Sequence, residues 1–345
     1  MGISNWKTSP ASSSEKIGDQ QLTGAGGRPL TELTPGAGRY LAIVAATIAV
    51  TAASFVGLLL GLDLSGSKPP PAFSNSYCFD AKLASFRQDP PVQPTHLIVG
   101  SSVPWRNVAA ETIAEQYPDA RPLNASFCGL VVNQSAFAAR FFLERFPTIT
   151  DVLLVLDPFD MSACRSNKTA VFDAADVSAY LSGANDLEYY FKYFDIVSLI
   201  GNAFTTANAS STTHLVTRLG DGPLYRSESH ELVYGPPPAI QPACEAALTA
   251  FAEDVENSGK HLVVATMPLL RDWSDKYDSD SRAKKQLAGS IRRALDGTSA
   301  TFWDGWSKVA LPRADYSDAV HLHWRAVPDF TRQLAQATGF GARAQ

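Results

Sequence analysis

The chain has 345 residues, a net charge of −5 and a hydrophobic fraction of 45%. This apolar fraction excludes a wholly disordered protein, and the mild acidity argues against a nucleic-acid-binding protein, which needs a basic surface to replace the counterions of phosphates. Four cysteines in a chain of this length cannot be the main source of its stability. The length accommodates one large domain or two.

An uncharged apolar segment lies near the N-terminus. Residues 1–38 are rich in Ser, Gly, Thr and Pro, and we predict that they form a disordered tail. Residues 39–62 carry no charge after Arg39 and are long enough, as a helix, to span a hydrocarbon core of about 30 Å. A buried core helix would carry a polar stripe, and a cleaved signal peptide would begin nearer the N-terminus. We therefore predict an uncleaved transmembrane signal anchor.

The flanks of the anchor indicate its orientation. Only Lys68 follows it closely, whereas four basic residues precede it, namely Lys7, Lys16, Arg28 and Arg39. The positive-inside rule then predicts a cytoplasmic N-terminus and an exported remainder. Residues 63–76 contain three consecutive prolines and read as a linker that holds the next domain off the membrane. The exported domain is predicted to cover residues 77–340.

The exported domain shows short apolar runs that each end in a polar or glycine-containing turn. Five such runs read as strands: 96–99, 122–127, 152–156, 262–265 and 300–303. Helical patterns fall at 134–146, 243–257, 281–295 and 324–337. Continuous apolar runs suit parallel strands that are covered on both faces. The alternation predicts an α/β fold, a three-layer α/β/α sandwich with a mainly parallel, flavodoxin-like sheet.

One region interrupts this alternation. Residues 160–240 contain no clear strand and many Asn, Ser, Thr, Tyr and Phe residues, and within them residues 186–200 are aromatic and predicted to be helical. We interpret the region as an insertion after the third strand. Insertions at the carboxyl ends of strands commonly cover or shape a site.

Two short motifs could carry chemistry. Ser102 directly follows the first predicted strand, where a serine is more often a helix N-cap than a nucleophile. Asp318 precedes His321 by three residues, a spacing that lets a carboxylate orient an imidazole and stabilise its charged form, although a surface turn would give the same pattern. His323 is a competing base, and Asp318 favours His321.

Taken together, Ser102 after the first strand and Asp318-x-x-His321 before the last helix resemble the SGNH (GDSL-like) hydrolase superfamily. The resemblance covers most of residues 95–335 and is closest to membrane-anchored members of bacterial envelopes, which include polysaccharide O-acetyltransferases and DltD-type proteins. It implies that Ser102 is the nucleophile, that His321 deprotonates it and that Asp318 orients His321. It implies no cofactor.

Two further blocks of that superfamily bear on the oxyanion hole. Its first block is Gly-Asp-Ser, whereas this chain has Gly100-Ser101-Ser102, with Ser101 in place of the aspartate. Residues 124–129 resemble the second block, whose glycine donates a backbone N–H to the oxyanion. The resemblance therefore implies that the backbone N–H groups of Ser102 and Gly129 form the oxyanion hole.

The third block of the superfamily, Gly-x-Asn-Asp, is absent, and the corresponding strand ends at Asp157. Asp157 is a candidate for structure, for substrate binding or for a replacement of the missing asparagine. Asn133 is a further candidate substrate-binding residue. Arg106 follows the nucleophile and could meet an anionic substrate, although a solvated surface arginine is the more common case.

The resemblance implies an enzyme of the bacterial inner membrane whose catalytic domain lies in the periplasm. Its substrates would be acyl esters, chiefly acetyl esters, of a cell-envelope or exported polysaccharide, and its partner a membrane-bound O-acyltransferase. The serine at position 101 and the absent third block favour an alternative, a degenerate domain that binds glycan or scaffolds a polysaccharide-modification complex. An unrelated anchored binding protein is a third interpretation.

The cysteines and histidines complete the candidates. In an oxidising compartment the four cysteines would form one or two disulfides, and we favour Cys128 with Cys164 because each follows a strand on the predicted site side. The six histidines show no metal-ligand spacing, so we predict no metal site.

Overall fold

The computed structural model describes residues 35–74, 76–208, 215–225 and 234–342, and the chain divides into two compact units, residues 1–60 and 61–345. A helix, α1 (Pro35–Leu64), begins four residues before the predicted anchor. Its stretch Gly36–Leu64 contains an 18-residue window with a mean hydropathy of 2.3, and by length and composition it could cross a membrane. The rest of the predicted disordered tail, residues 1–34, lies outside the described residues.

The second unit contains a sheet of five parallel strands, which confirms the predicted α/β class. The strands are β1 (His96–Gly100), β2 (Pro122–Asn124), β3 (Asp151–Leu156), β4 (His261–Thr266) and β5 (Thr301–Trp303). Their order is β2-β1-β3-β4-β5, the flavodoxin-like order. The three central strands are buried almost throughout, as their continuous apolar runs predict.

Helices cover both faces of the sheet. After α1 the chain forms α2 (Tyr77–Gln88), α3 (Ser102–Asn107), α4 (Ala110–Gln116), α5 (Val132–Arg145), α6 (Ala174–Leu181), α7 (Asp186–Lys192), α8 (Ile196–Asn208), α9 (Pro242–Asn257), α10 (Arg271–Tyr277), α11 (Arg282–Ala294), α12 (Gly305–Lys308) and α13 (Val327–Thr338). One layer contains α3, α4 and α13, which pack together, and the other contains α5, α9 and α11. The predicted helix over 186–200 is two helices, because the Asp195 carboxylate accepts the N–H groups of Val197 and Ser198 and starts a new helix.

The strand order locates a crevice. The chain leaves β1 toward β2 on one side and leaves β3 toward β4 on the other, so the sheet has its switch point between β1 and β3. In open α/β sheets ligands bind beyond the carboxyl ends of the strands at such a point. Ser102 follows β1 and Asp157 follows β3, so both candidates lie at this crevice.

The predicted disulfide between Cys128 and Cys164 is wrong. The structure pairs Cys78 with Cys128 and Cys164 with Cys244, with Cα–Cα distances of 6.5 and 5.3 Å. The prediction missed α2, whose first turn carries Cys78 to the loop after β2. Cys164 instead faces the first turn of α9, which contains Cys244.

The segment predicted as a linker, residues 63–76, packs against the domain. The ring of Phe73 is buried and lies 4.8 Å from the ring of Tyr180 and 5.1 Å from that of Tyr189. Lys68 forms an ion pair of 3.0 Å with Asp186 at the start of α7. The segment is therefore held on the surface of the domain by apolar and charged contacts.

Candidate active site

Ser102 is presented by a tight turn between β1 and α3. Gly100 ends the strand with φ +144°, and a Cβ atom at this position would lie 2.7 Å from the carbonyl oxygen of Val155. Ser101 is the N-cap of α3, and its hydroxyl accepts the backbone N–H of Val103 at 3.3 Å. The capping role thus belongs to Ser101, and Ser102 is the first residue of the helix, with its hydroxyl directed to His321.

Three side chains form a continuous chain of hydrogen bonds. Ser102 Oγ lies 3.0 Å from His321 Nε2, and His321 Nδ1 lies 2.8 Å from Asp318 Oδ2. The other carboxylate oxygen of Asp318 accepts the backbone N–H groups of Val320 and His321, at 2.9 and 2.8 Å. With its proton on Nδ1, the imidazole presents Nε2 as an acceptor to the Ser102 hydroxyl.

The electrostatics of the site keep Asp318 ionised. Burial acts to raise the pKa of Asp318, but the hydrogen bond and the positive charge of His321, with the two backbone donors, outweigh burial and lower this pKa below its ordinary value. The carboxylate can therefore hold the imidazole in one tautomer and stabilise its protonated form.

Arg106 is not a solvated surface arginine. It is buried, its guanidinium lies 4.4 Å from the ring of Trp105, and it donates a hydrogen bond of 3.3 Å to the carbonyl of Gly222. Burial lowers the pKa of Arg106, while the negative charge of Asp318 acts to raise it. The structure therefore places a cation near the acid of the hydrogen-bonded chain.

The competing histidine lies elsewhere. The ring of His323 accepts the backbone N–H of Arg325 at 3.3 Å, at the start of a 3₁₀ turn over Trp324–Ala326, and the structure brings His321 to Ser102. Within the described ranges no group of three or more His, Cys, Asp or Glu side chains is arranged to hold a metal ion.

Asn107, which the sequence analysis did not single out, joins α3, the helix of Ser102, to the loop of His321. Its side-chain nitrogen donates to the carbonyl of Val320, and its oxygen accepts the N–H of Leu322, both at 2.8 Å. These two backbone groups flank His321, and Asn107 is completely buried. Its partners lie more than 200 residues away in the chain, so no local pattern could have indicated the contact.

The loop after β2 reaches the same crevice. The N–H of Phe127 donates to the carbonyl of Gly100 at 3.1 Å, which holds the loop beside the end of β1. Gly129 follows with φ +72°, a conformation that favours glycine. The N–H of Val132 donates to the carbonyl of Asp160 at 2.9 Å and fixes the start of α5 beside the segment after β3.

A pair of buried carboxylates lies beside the turn between β1 and α3. Asp160 Oδ2 accepts the hydroxyl of Ser101 and the N–H of Asp157, both at 3.1 Å. Asp157 Oδ1 accepts the N–H groups of Phe159 and Asp160 at 2.7 and 3.1 Å. Asp160, which the sequence analysis missed, thus brings a carboxylate into contact with Ser101.

Burial governs the charge of this pair. It raises the pKa of Asp157 to about 6 and raises the pKa of Asp160 well above its ordinary value, with the neighbouring charge of Asp157 adding to the second effect. The last candidate, Asn133, donates to the hydroxyl of Thr169 at 3.0 Å. Its oxygen is buried without a partner in the part of the chain that is described.

The insertion after β3 contributes a side chain to the site. The hydroxyl of Tyr234 lies 3.4 Å from His321 Nδ1, and the two rings are 6.1 Å apart. On its other side the Tyr234 ring lies 5.4 Å from the ring of Phe159. The insertion therefore covers the edge of the imidazole that faces Asp318.

No protein-family model matches the chain, and no curated protein sequence matches it. Solved structures do match. Among them is the crystal structure of a carbohydrate acetylesterase family member from Sinorhizobium meliloti, with a TM-score of 0.36 and 13% sequence identity. The match covers 72% of this chain and 98% of that one. A likeness this weak does not transfer the activity of that protein to this chain.

Replacement of Asn107 tests the link between Ser102 and His321. Asn107→Ala leaves the carbonyl of Val320 and the N–H of Leu322 buried without partners, and we expect it to lower the free energy of unfolding by about 3 kcal/mol. The measurement is urea unfolding of the full chain in detergent micelles. Asn257→Ala, at the exposed end of α9, is the matched control and should change stability by less than about 0.5 kcal/mol. Equal stability of the two variants would contradict the contact.

The carboxylate pair predicts a pH dependence of stability. Because burial raises both pKa values above the unfolded value of 3.8, the folded chain binds more protons, and its unfolding free energy falls as the pH rises through about 6. Between pH 5 and pH 8 we expect the ionisation of Asp157 alone to lower the free energy of unfolding by on the order of 1 kcal/mol.

Asp160→Asn keeps an oxygen for Ser101 but removes one charge, so it should flatten this decline, measured by unfolding the full chain in micelles at both pH values. Asp296→Asn, which changes an exposed carboxylate, should leave the decline unchanged. If Asp160→Asn left the pH dependence unaltered, the claim that ionisation of the buried Asp160 lowers the stability of the fold would be refuted.

Proposed function

We propose that the chain is a serine esterase or O-acyltransferase in which Ser102 is the nucleophile, His321 the general base and Asp318 the group that orients it. The observation that carries the proposal is the hydrogen-bonded chain of these three side chains, with separations of 3.0 and 2.8 Å. Both distances lie within the range needed for proton transfer. A surface turn, the alternative interpretation of the Asp-x-x-His motif, gives no reason for His321 to meet a serine 219 residues earlier.

The first half of the reaction forms an acyl-enzyme. Ser102 Oγ attacks the carbonyl carbon of the ester while His321 Nε2 takes the hydroxyl proton, and Asp318 stabilises the imidazolium that results. When the tetrahedral intermediate collapses, the bond to the ester oxygen breaks and His321 returns the proton to the departing alcohol. The acyl group is then bound to Ser102.

The second half releases the acyl group by the same groups in reverse. A water molecule or a glycan hydroxyl loses its proton to His321 and attacks the acyl carbon, and Ser102 leaves with the proton restored to its oxygen. Attack by water gives hydrolysis, and attack by a hydroxyl gives transfer. The site performs both with the same residues, so the acceptor that reaches the acyl-enzyme decides between them.

The oxyanion of the intermediate requires hydrogen-bond donors. We assign this role to the backbone N–H groups of Ser102 and Gly129, which the turns after β1 and β2 bring to the carboxyl end of the sheet. Loss of a single donor costs roughly 3 kcal/mol of transition-state stabilisation in a known hydrolase. The absent Gly-x-Asn-Asp asparagine therefore makes these two backbone donors the more important.

We further propose that α1 anchors the enzyme in the bacterial inner membrane, with residues 77–340 in the periplasm. The length and hydropathy of α1 and the basic residues before it support this topology. Two disulfides suit an oxidising compartment. The acyl group is most simply an acetyl group of an envelope polysaccharide, and the partner a membrane-bound O-acyltransferase that supplies it.

The degenerate alternative predicts a domain that binds glycan without chemistry. Its support was Ser101 in place of an aspartate and the missing third block. The hydrogen bond between Ser101 and Asp160 favours the catalytic proposal, because it returns a carboxylate to the first block from another part of the chain.

Kinetics of paired variants separate the two proposals. We expect Ser102→Ala and His321→Ala to lower kcat for hydrolysis of 4-nitrophenyl acetate by at least about 10³-fold, since each removes a group that acts only with the others. His323→Ala is the matched control, because its ring caps a turn away from Ser102, and it should retain most of the activity. An equal loss in both histidine variants, or full activity of Ser102→Ala in the micellar full chain, would contradict the assigned roles.

A further inference from the structure

Helix α8 exposes a row of large apolar side chains. Its sequence, IVSLIGNAFTTAN, contains no charged residue. Leu199 and Ala203 are buried, whereas the adjacent face is exposed, with 77% of Val197 and 66% of Phe204 accessible. We call this face, made of Ile196, Val197, Ile200 and Phe204, the apolar stripe.

The apolar stripe differs from the scattered apolar residues of an ordinary surface. Ile200 follows Ile196 by four positions and Val197 by three, and Phe204 follows Ile200 by four, so these side chains are neighbours along one side of the helix. Exposure of apolar surface to water is unfavourable by about 25 cal/mol of free energy per Å² relative to burial. Contiguous exposed apolar patches therefore mark sites of protein or membrane contact. A solvated helix would carry charges here, and α8 carries none.

Hydrogen bonds and an ion pair tie α7 and α8 to the residues that follow α1. Lys68 pairs with Asp186 at the start of α7, and the hydroxyl of Tyr190 donates to the carbonyl of Pro69. The hydroxyl of Tyr77 lies 2.9 Å from that of Thr206 in α8. Helix α7 is therefore fastened to the chain between α1 and α2 at two points, and α8 to the first residue of α2.

The length of the connection to Lys68 limits how far the start of α7 can lie from the end of α1. Leu64 is the last residue of α1, and Lys68 follows it by four residues, which span at most about 14 Å even when fully extended. Two backbone hydrogen bonds, from Ser65 to Gly61 and from Ser67 to Leu62, shorten the path. If α1 spans a bilayer, the start of α7 therefore lies close to the surface of that bilayer.

We propose that the apolar stripe of α8 lies in the interface of the lipid bilayer that α1 crosses, so that the domain is held to the membrane by a second contact. The inference rests on the anchor role of α1 proposed above. An amphipathic helix binds such an interface with its apolar face among the headgroups and upper acyl chains. Because α8 has no basic residue, burial of apolar area drives the contact, which requires no anionic lipid and changes little with salt.

A single label on α8 tests the contact in the full chain. All four native cysteines are paired in disulfides, so Val197→Cys introduces the one thiol that a fluorophore labels. Val92→Cys is the matched control, because Val92 is also an exposed valine, with 80% accessible, but lies in the loop before β1. Both labelled chains are reconstituted in nanodiscs of zwitterionic lipid.

We expect nitroxide groups on the lipid headgroups to quench the label at 197 at least threefold more than the label at 92, and aqueous iodide to do the reverse, at low and at high salt. Equal iodide quenching at the two positions would overturn the proposal. Shielding of position 197 from both quenchers would overturn it as well and would indicate that a second copy of the chain covers the stripe.

Alkaline carbonate extraction of the same chain from vesicles separates this inference from the proposals beneath it. If the chain resists extraction but position 197 is open to iodide, the anchor proposal stands and the stripe proposal fails. A chain that carbonate extracts lacks the anchor, and the stripe contact falls with it. Ester hydrolysis by the labelled chain reports on the Ser102 chemistry independently of both.

Discussion

The buried side chain of Asn107 donates one hydrogen bond and accepts another, and the two hold the loop of His321 against the helix of Ser102. The contact between Ser102 and His321 depends on this junction, because the two residues come from opposite ends of the folded domain. The Ser102 side is rigid, since Gly100 and the capped first turn of α3 fix the backbone on which the serine is held. The histidine side is a loop, and its position is set by the groups it contacts.

The carboxyl groups of the site differ in pKa because they lie in different environments. Asp318 remains ionised because His321 and two backbone N–H groups stabilise its charge. Asp157 and Asp160 lie in a more deeply buried environment that favours their protonated forms. Asp318 can therefore support a proton transfer at His321, whereas Asp157 and Asp160 hold the turn after β3. The difference follows from the depth of burial and from the number of hydrogen-bond donors around each carboxyl group.

The sequence predicted the fold where the physical signal was local. Short continuous apolar runs such as residues 152–156 are typical of strands that are covered on both faces, and they alternate with helical patterns, which together predicted the parallel sheet. The spacing of Asp318 and His321 indicated their contact for the same reason, because three residues of turn bring one onto the other. The uncharged apolar run near the N-terminus likewise predicted the long helix α1.

The signals that failed were long-range or masked by composition. Asn107 contacts the loop of His321 and Asp160 contacts Ser101, both across long stretches of sequence, and nothing in their local sequence distinguishes them from ordinary polar residues. Cys128 was paired wrongly because the sequence analysis did not recognise α2, whose first turn contains Cys78. The exposed stripe of α8 could not be told from a buried helix face, because periodicity alone does not say what covers a helix.

The most direct measurement of the central claim is covalent capture of the nucleophile. The full chain in detergent micelles is treated with a fluorophosphonate, which phosphonylates a serine only when a neighbouring base activates its hydroxyl, and the adduct is located by peptide mass spectrometry. The account predicts one adduct, on Ser102, that disappears in Ser102→Ala and in His321→Ala. An unlabelled folded chain, or an adduct on another serine that persists in Ser102→Ala, would contradict it.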